Sequence, residues 1–243
     1  MGAPDYFELF VEDDDRPFLG GQTIWGRLEL VTKKLLTNIT SVTIKLTGVA
    51  HVEFGDTSNG SLQQETETYI AEKIVVHSGN IDIGKHEYPF SFKLPENIPC
   101  SFDGGSSGGR GYVRYNIKAK IKRCGGIFSW LLHEEPYRFK EIMISALMDL
   151  NNISSSKKSV TVSKTEVVGS MLCSPGVVTT TVNIPRAGYT MGQYIPVSAK
   201  IANSSNVSLT TEAKLIQRMV LKVGRHEQVI DTQYKILSIL AKS

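Results

Sequence analysis

Apolar and polar residues alternate along most of this chain with a period of two. Phe7, Leu9 and Val11 share one face of a first strand, and Ile24, Leu28 and Leu30 share a face of the next. Val42, Ile44 and Leu46 alternate with Thr43, Lys45 and Thr47. Tyr88, Phe90, Phe92 and Leu94 form the clearest stripe, and Val113, Tyr115, Ile117, Ala119 and Ile121 form another. In a strand successive side chains point to opposite faces, so each stripe predicts a half-buried antiparallel strand. Asp15-Arg16-Pro17, Asn59-Gly60, Ser78-Gly79-Asn80, Asp103 through Gly111 and Gly125-Gly126 supply turns between them. No long segment keeps a 3.6-residue period. The pattern predicts an all-β sandwich of many short strands.

One motif recurs. Gly21-Gln22-Thr23-Ile24 opens a strand-like run, and Gly192-Gln193-Tyr194-Ile195 opens another 171 positions later. Such self-similarity predicts one supersecondary unit used in two tandem domains. The polar run Asn151 to Lys158 reads as a linker between them. The expected division is a sandwich over 5–149, a linker over 150–157, and a partial second sandwich over 158–243. Strands are expected in the second part near 159–167, 176–184, 192–202, 208–223 and 227–236.

Composition narrows the class. Hydrophobic residues make up 41% and charged residues 21% of the 243, an ordinary globular balance. No stretch approaches the ~20 apolar residues that cross a bilayer, and the first residues lack the basic and apolar regions of a secretory signal. Three scattered cysteines, Cys100, Cys124 and Cys173, predict no disulfide framework and fit a reducing, cytoplasmic compartment. The five Asn-x-Ser/Thr sequons at Asn38, Asn59, Asn152, Asn203 and Asn206 then read as ordinary strand and loop residues. The net charge of +3 hides an uneven distribution: residues 1–30 carry −5 and the remainder +8. That is not the dense basic character of a nucleic-acid binder.

The search for reaction chemistry ends without a constellation. Gly105-Ser106-Ser107-Gly108-Gly109 satisfies Gly-x-Ser-x-Gly, but a nucleophile elbow needs a strand before it and a helix after it. Here the serines sit in a Gly/Ser run between two strands, which reads as a flexible loop. His51, His77, His86, His133 and His226 have no metal-ligand spacing, and Asp13-Asp14-Asp15 lacks the alternating ligands and distal Glu of a calcium loop, reading as a solvated acidic turn. No catalytic residue, metal or cofactor is expected. Two features point to binding instead. Opposite the stripe of residues 113–121 stand Arg114, Lys118, Lys120 and Lys122, a positive strand face suited to acidic or phosphorylated segments. Ile127 to Leu132 form an apolar insert whose Phe128, Trp130 and Leu131 would make a contact loop for a partner or a membrane surface.

Several passages together resemble the arrestin fold, specifically the α-arrestins (the arrestin domain-containing proteins and thioredoxin-interacting protein). They are Phe7 through Gln22 leading into Gly26-Arg27-Leu28-Glu29-Leu30, Ile44 through Val52, Tyr88-Pro89-Phe90-Ser91-Phe92-Lys93-Leu94-Pro95 through Phe102 with Gly111 through Ala119, and Ala187 through Ile195. The third is the most specific. The resemblance implies two Ig-like sandwiches in tandem, the second shortened, in a non-enzymatic adaptor. Such adaptors bind the tails of membrane receptors and transporters, recruit HECT-type ubiquitin ligases and steer cargo into endocytosis and protein transport, moving from the cytoplasm to the plasma membrane or endosomes. It also allows peripheral membrane association. The family binds ligases through Pro-Pro-x-Tyr, and this chain has no Pro-Pro dipeptide. Two other readings stay open: a structural subunit of an endosomal sorting coat, as in retromer's arrestin-like component, and, from another class, a hydrolase using Ser107.

Overall fold

The computed structural model describes residues 3–55, 60–124, 135–145, 149–169, 176–190, 192–234 and 238–240. They are almost entirely strand and turn. The described residues fall into two compact units, one of residues 1–146 with 218–231 and one of 147–217 with 232–243.

The first unit is a sandwich. Its larger sheet is built on three long strands, β4 (Ile39–Gly55), β5 (Leu62–His77) and β8 (Gly109–Arg123), in the order β5-β4-β8. The free edge of β8 is shared end to end by β7 (Phe102–Ser106) and β9 (Tyr137–Ile142). The smaller sheet has the order β1-β3-β6, from β1 (Tyr6–Val11), β3 (Thr23–Thr32) and β6 (Gly84–Lys93). A two-residue parallel ladder joins β2 (Phe18–Leu19) to β10 (Ile144–Ser145).

The predicted stripes are the core. Phe7, Leu9, Ile24, Leu28, Leu30, Phe90 and Phe92 from the smaller sheet pack with Val42, Ile44, Leu46, Tyr115, Ile117, Ala119 and Ile121 from the larger one. Ile24, Leu28, Ile44, Leu46, Ile117 and Ile121 are completely buried. Each such side chain contributes ~1.5–3 kcal/mol through removal of apolar surface from water. A second, smaller cluster joins Phe54 and Val52 of β4 to Leu221, Ile230, Met219 and Val223. The latter four belong to the hairpin of β15 (Leu215–Val223) and β16 (His226–Tyr234).

One expectation is corrected here. The Gly/Ser run is not a loop: β7 and β8 pair through it, with Gly104 opposite Gly111, Gly105 opposite Arg110 and Ser106 opposite Gly109. The glycines make room. A Cβ on Gly109 would stand 2.7 Å from the Phe54 Cβ and 2.9 Å from Leu221, and one on Gly111 would stand 2.8 Å from Leu221. The acidic turn is exposed, as expected, and ion pairs tie it down. Asp14 forms an ion pair with Lys140, Asp13 with Arg16 at 2.6 Å, and Glu8 with Arg138 at 3.4 Å. Bases of β9 thus answer Glu8 and Asp14, while Arg16 of the turn itself answers Asp13.

In the second unit β11 (Val160–Val168), β12 (Gly176–Ile184) and β13 (Ser198–Asn203) form an antiparallel sheet, and β14 (Thr210–Glu212) pairs with β17 (Ser238–Leu240). Hydroxyls and an amide bridge β11 and β12: Ser163 to Thr181 at 3.0 Å, Thr165 to Thr179 at 3.1 Å and Asn183 to Thr161 at 2.8 Å. Residues 150–157 wind into a 3₁₀ turn (Leu150–Asn152) and a following bend. The buried Ser156 hydroxyl donates to the Leu150 carbonyl at 2.7 Å, and the Gly188 N–H donates to the Ser156 carbonyl at 2.8 Å.

Candidate protein-binding face

Strand β8 positions the predicted cations. Tyr115, Ile117, Ala119 and Ile121 are buried, so Arg114, Lys118, Lys120 and Lys122 leave the sheet on its opposite, outer side. The four do not form one uniform stripe, because their neighbours differ.

At the β7 end, Asp103 sits between two guanidinium groups. Arg110 Nη2 donates to both its carboxylate oxygens, at 3.2 and 3.4 Å, and Arg114 donates through Nε at 3.2 Å and closely through Nη2. The hydrogen bonds from Arg114, then Arg110, hold the Asp103 carboxyl below its ordinary value, and the same carboxylate raises Arg114. The Arg114 guanidinium lies 4.5 Å from the Tyr112 ring centroid, and that ring also meets His51 at 5.2 Å. Farther along, Lys120 forms an ion pair with Glu135, and the Lys118 ammonium lies 4.3 Å from the Tyr137 ring centroid. Lys118 and Lys122 are exposed and make no ion pair among the described residues.

The register adds residues that alternation along one strand does not reveal. Lys118 stands opposite Lys45 of β4, and Lys45 opposite Lys73 of β5. The sequence pattern assigns Lys45 to a polar face, but which strand lies beside it depends on long-range pairing. Val75 of β5 and Tyr137 and Phe139 of β9 are exposed around these lysines. Phe128, Trp130 and Leu131, the expected apolar contact loop, lie outside the described residues.

Ser107 is exposed in the turn between β7 and β8, and β8 continues directly from that turn, so no helix follows it as a nucleophile elbow requires. On the inner side of the larger sheet a cavity of about 440 Å³ is lined by Ala50, Val52, Glu65, Glu67, Tyr69 and Met219, among others. No group of three or more His, Cys, Asp or Glu side chains gathers as a metal site among the described residues. No helix among them is long and apolar enough to cross a membrane.

Comparison with known proteins agrees with this architecture. The family description "Arrestin (or S-antigen), N-terminal domain" matches residues 7–151, and "Arrestin (or S-antigen), C-terminal domain" matches residues 174–239. The chain belongs to the arrestin family, whose members are generally non-enzymatic adaptors. Its relatives place it with the arrestin domain-containing proteins, the α-arrestins. It is 26% identical over 250 residues to arrestin domain-containing protein 17 of Caenorhabditis elegans, covering 93% of this chain and 55% of that protein. It is 23% identical over 235 residues to arrestin domain-containing protein 1 of Rattus norvegicus, covering 93% and 49%. Arrestin domain-containing protein 4 of Mus musculus is 30% identical over 135 residues, covering 55% and 30%. The chain therefore spans about half the length of the first two relatives. Among solved structures, the sporulation control protein Spo0M of Bacillus subtilis covers 97% of this chain and 91% of its own, at 14% identity and a TM-score of 0.40.

Proposed function

We propose that this protein is a non-enzymatic arrestin-like adaptor that binds the cytoplasmic tails of membrane receptors or transporters and links them to endocytosis, ubiquitination and intracellular transport. The observation that carries the reading is the pair of arrestin domains, with an outer sheet face on which cations alternate with a buried row. Arg114, Lys118, Lys120 and Lys122 meet the acidic or phosphorylated tail in this reading. Charge-assisted hydrogen bonds from such groups are about twice as strong as neutral ones. The Asp103 carboxylate occupies Arg114 in the free protein and is displaced when an acidic segment arrives. Recruitment of a HECT-type ligase belongs to the same reading as a role of the family; the 243 residues contain no Pro-Pro-x-Tyr. The protein works in the cytoplasm and moves to the plasma membrane or endosomes with its cargo.

The test is co-precipitation of surface-labelled membrane proteins from detergent extract with the full chain and with R114E/K118E/K120E/K122E. The native chain is expected to capture membrane proteins in a salt-sensitive manner, and the variant to lose most of that capture while keeping its circular dichroism spectrum. Equal capture by the folded variant sinks the assignment of this face.

A further inference from the structure

Three lysines on three neighbouring strands face solvent side by side. Lys73 is opposite Lys45, Lys45 is opposite Lys118, and all three are exposed. Adjacent strands lie ~4.8 Å apart, so the row crosses about 10 Å of sheet. Like charges placed directly opposite one another destabilise a sheet. No ion pair among the described residues relieves the row, and the one ring contact in it, Lys118 over Tyr137 at 4.3 Å, leaves all three ammonium charges uncompensated.

The surroundings indicate what covers it. Phe139 stands opposite Lys118, Tyr137 stands opposite Lys120, and Val75 lies two residues beyond Lys73. These apolar side chains are 55%, 52% and 58% exposed, so the cationic row has greasy shoulders at both ends. Its charge comes from lysine alone; the arginines of this face are bound to Asp103 at its other end. Arginine, with its rigid planar fork, is the group that reads a single phosphate or carboxylate in two-point geometry. Lysine is a compact point charge on a flexible stem and suits a diffuse layer of negative charge. An anionic bilayer is such a layer: each nearby lysine adds to the attraction, and aromatic and aliphatic side chains settle among the headgroups.

We propose that this open sheet face docks on an anionic lipid bilayer, with Lys45, Lys73 and Lys118 against the headgroups and Val75, Tyr137 and Phe139 dipping between them. The inference goes beyond the adaptor reading, because it names the surface against which the adaptor rests. Lys45 and Lys73 take no part in the cargo-tail assignment, so the two are separable.

The experiment is co-sedimentation of the full chain with vesicles of phosphatidylcholine alone and of phosphatidylcholine mixed with phosphatidylserine. The native chain is expected to bind the mixed vesicles, to ignore the neutral ones and to release as salt rises. K45E/K73E should bind the mixed vesicles at least about tenfold more weakly. V75S/F139S should lower binding while leaving its salt dependence in place. Both variants should keep the native melting temperature and the capture of membrane proteins in detergent, where no bilayer exists. The proposal is overturned if folded K45E/K73E binds the mixed vesicles as well as the native chain. It is equally overturned if the lysine pair proves necessary for binding a soluble acidic phosphopeptide and unnecessary for vesicles, which would assign the row to a peptide.

Discussion

Gln22 and Leu19 hold each other twice. The Gln22 N–H donates to the Leu19 carbonyl at 3.1 Å, and the Leu19 N–H donates to the Gln22 side-chain oxygen at 2.8 Å. Gln193 and Thr190 make the same two bonds, at 3.2 and 3.1 Å. Between them Gly21 has φ 79° and Gly192 φ 81°, the left-handed conformation that a side chain strains. The recurring Gly-Gln motif is therefore a recurring turn, closed by its own glutamine. Gln22→Ala should cost about 1 kcal/mol of stability for the lost side-chain acceptor. Gly21→Ala should cost at least as much through backbone strain. Denaturant unfolding of the two variants checks the order.

Gly48 is indispensable for a different reason. A Cβ there would fall 2.3 Å from two ring carbons of Tyr115 and 2.8 Å from Ile70. The ring is 1% exposed and its hydroxyl donates to the Pro99 carbonyl at 2.7 Å, so it has nowhere to move. Gly48→Ala should lose about 2–3 kcal/mol by overpacking. Gly55→Ala, on the same strand with nothing within 4 Å, should be close to neutral. Thermal melts of the pair separate crowding from a general cost of replacing glycine.

Tyr115 also predicts an alkaline limit. Burial pushes its phenol from 10.0 up to about 12. The folded state therefore keeps a proton that the unfolded state releases, so the stabilisation is complete below pH 10 and disappears as pH rises from 10 through 12. Stability should fall over that window. Tyr115→Phe should flatten the fall while losing about 1 kcal/mol at neutral pH with the hydrogen bond to Pro99. Denaturation midpoints measured from pH 8 upward decide it; an equally steep decline in the variant would place the alkaline sensitivity elsewhere.

Asp103 restrains two arginines. Asp103→Ala should release Arg110 and Arg114 and strengthen retention on a heparin or phosphate matrix, with elution at higher salt than the native chain. The double variant D103A/R114A should elute earlier than D103A. If D103A elutes with the native chain, the guanidinium groups are not limited by this carboxylate.

The sandwich and most of its inward-facing residues were legible because period-two alternation depends only on neighbours in sequence. Long-range packing was not. Gly104 to Gly109 looked like a loop because glycine and serine favour turns. The space that Gly109, and Gly111 after it, leave for Leu221 more than a hundred residues later has no local trace. The strand expected from residue 192 begins only at Ser198, after Pro196, which has no N–H to give to a ladder. At the candidate face, alternation placed Arg114, Lys118, Lys120 and Lys122 on one side of β8. It missed Asp103 and Glu135, which neutralise two of them, and Lys45 and Lys73, which extend the charge sideways. Those partners arrive through strand register, which is set by the whole sheet.

The cluster of Phe54 with Leu221 and Ile230 has a consequence for synthesis. Phe54 leaves the ribosome early, and the residues that cover it are added about 170 positions later, some 10–30 s at ordinary elongation rates. Over that interval a ring that ends 4% exposed is open to solvent on a growing nascent chain. A chaperone that reads greasy surface has its opportunity there, and ribosome-bound intermediates stalled before and after Ile230 should differ sharply in their affinity for one.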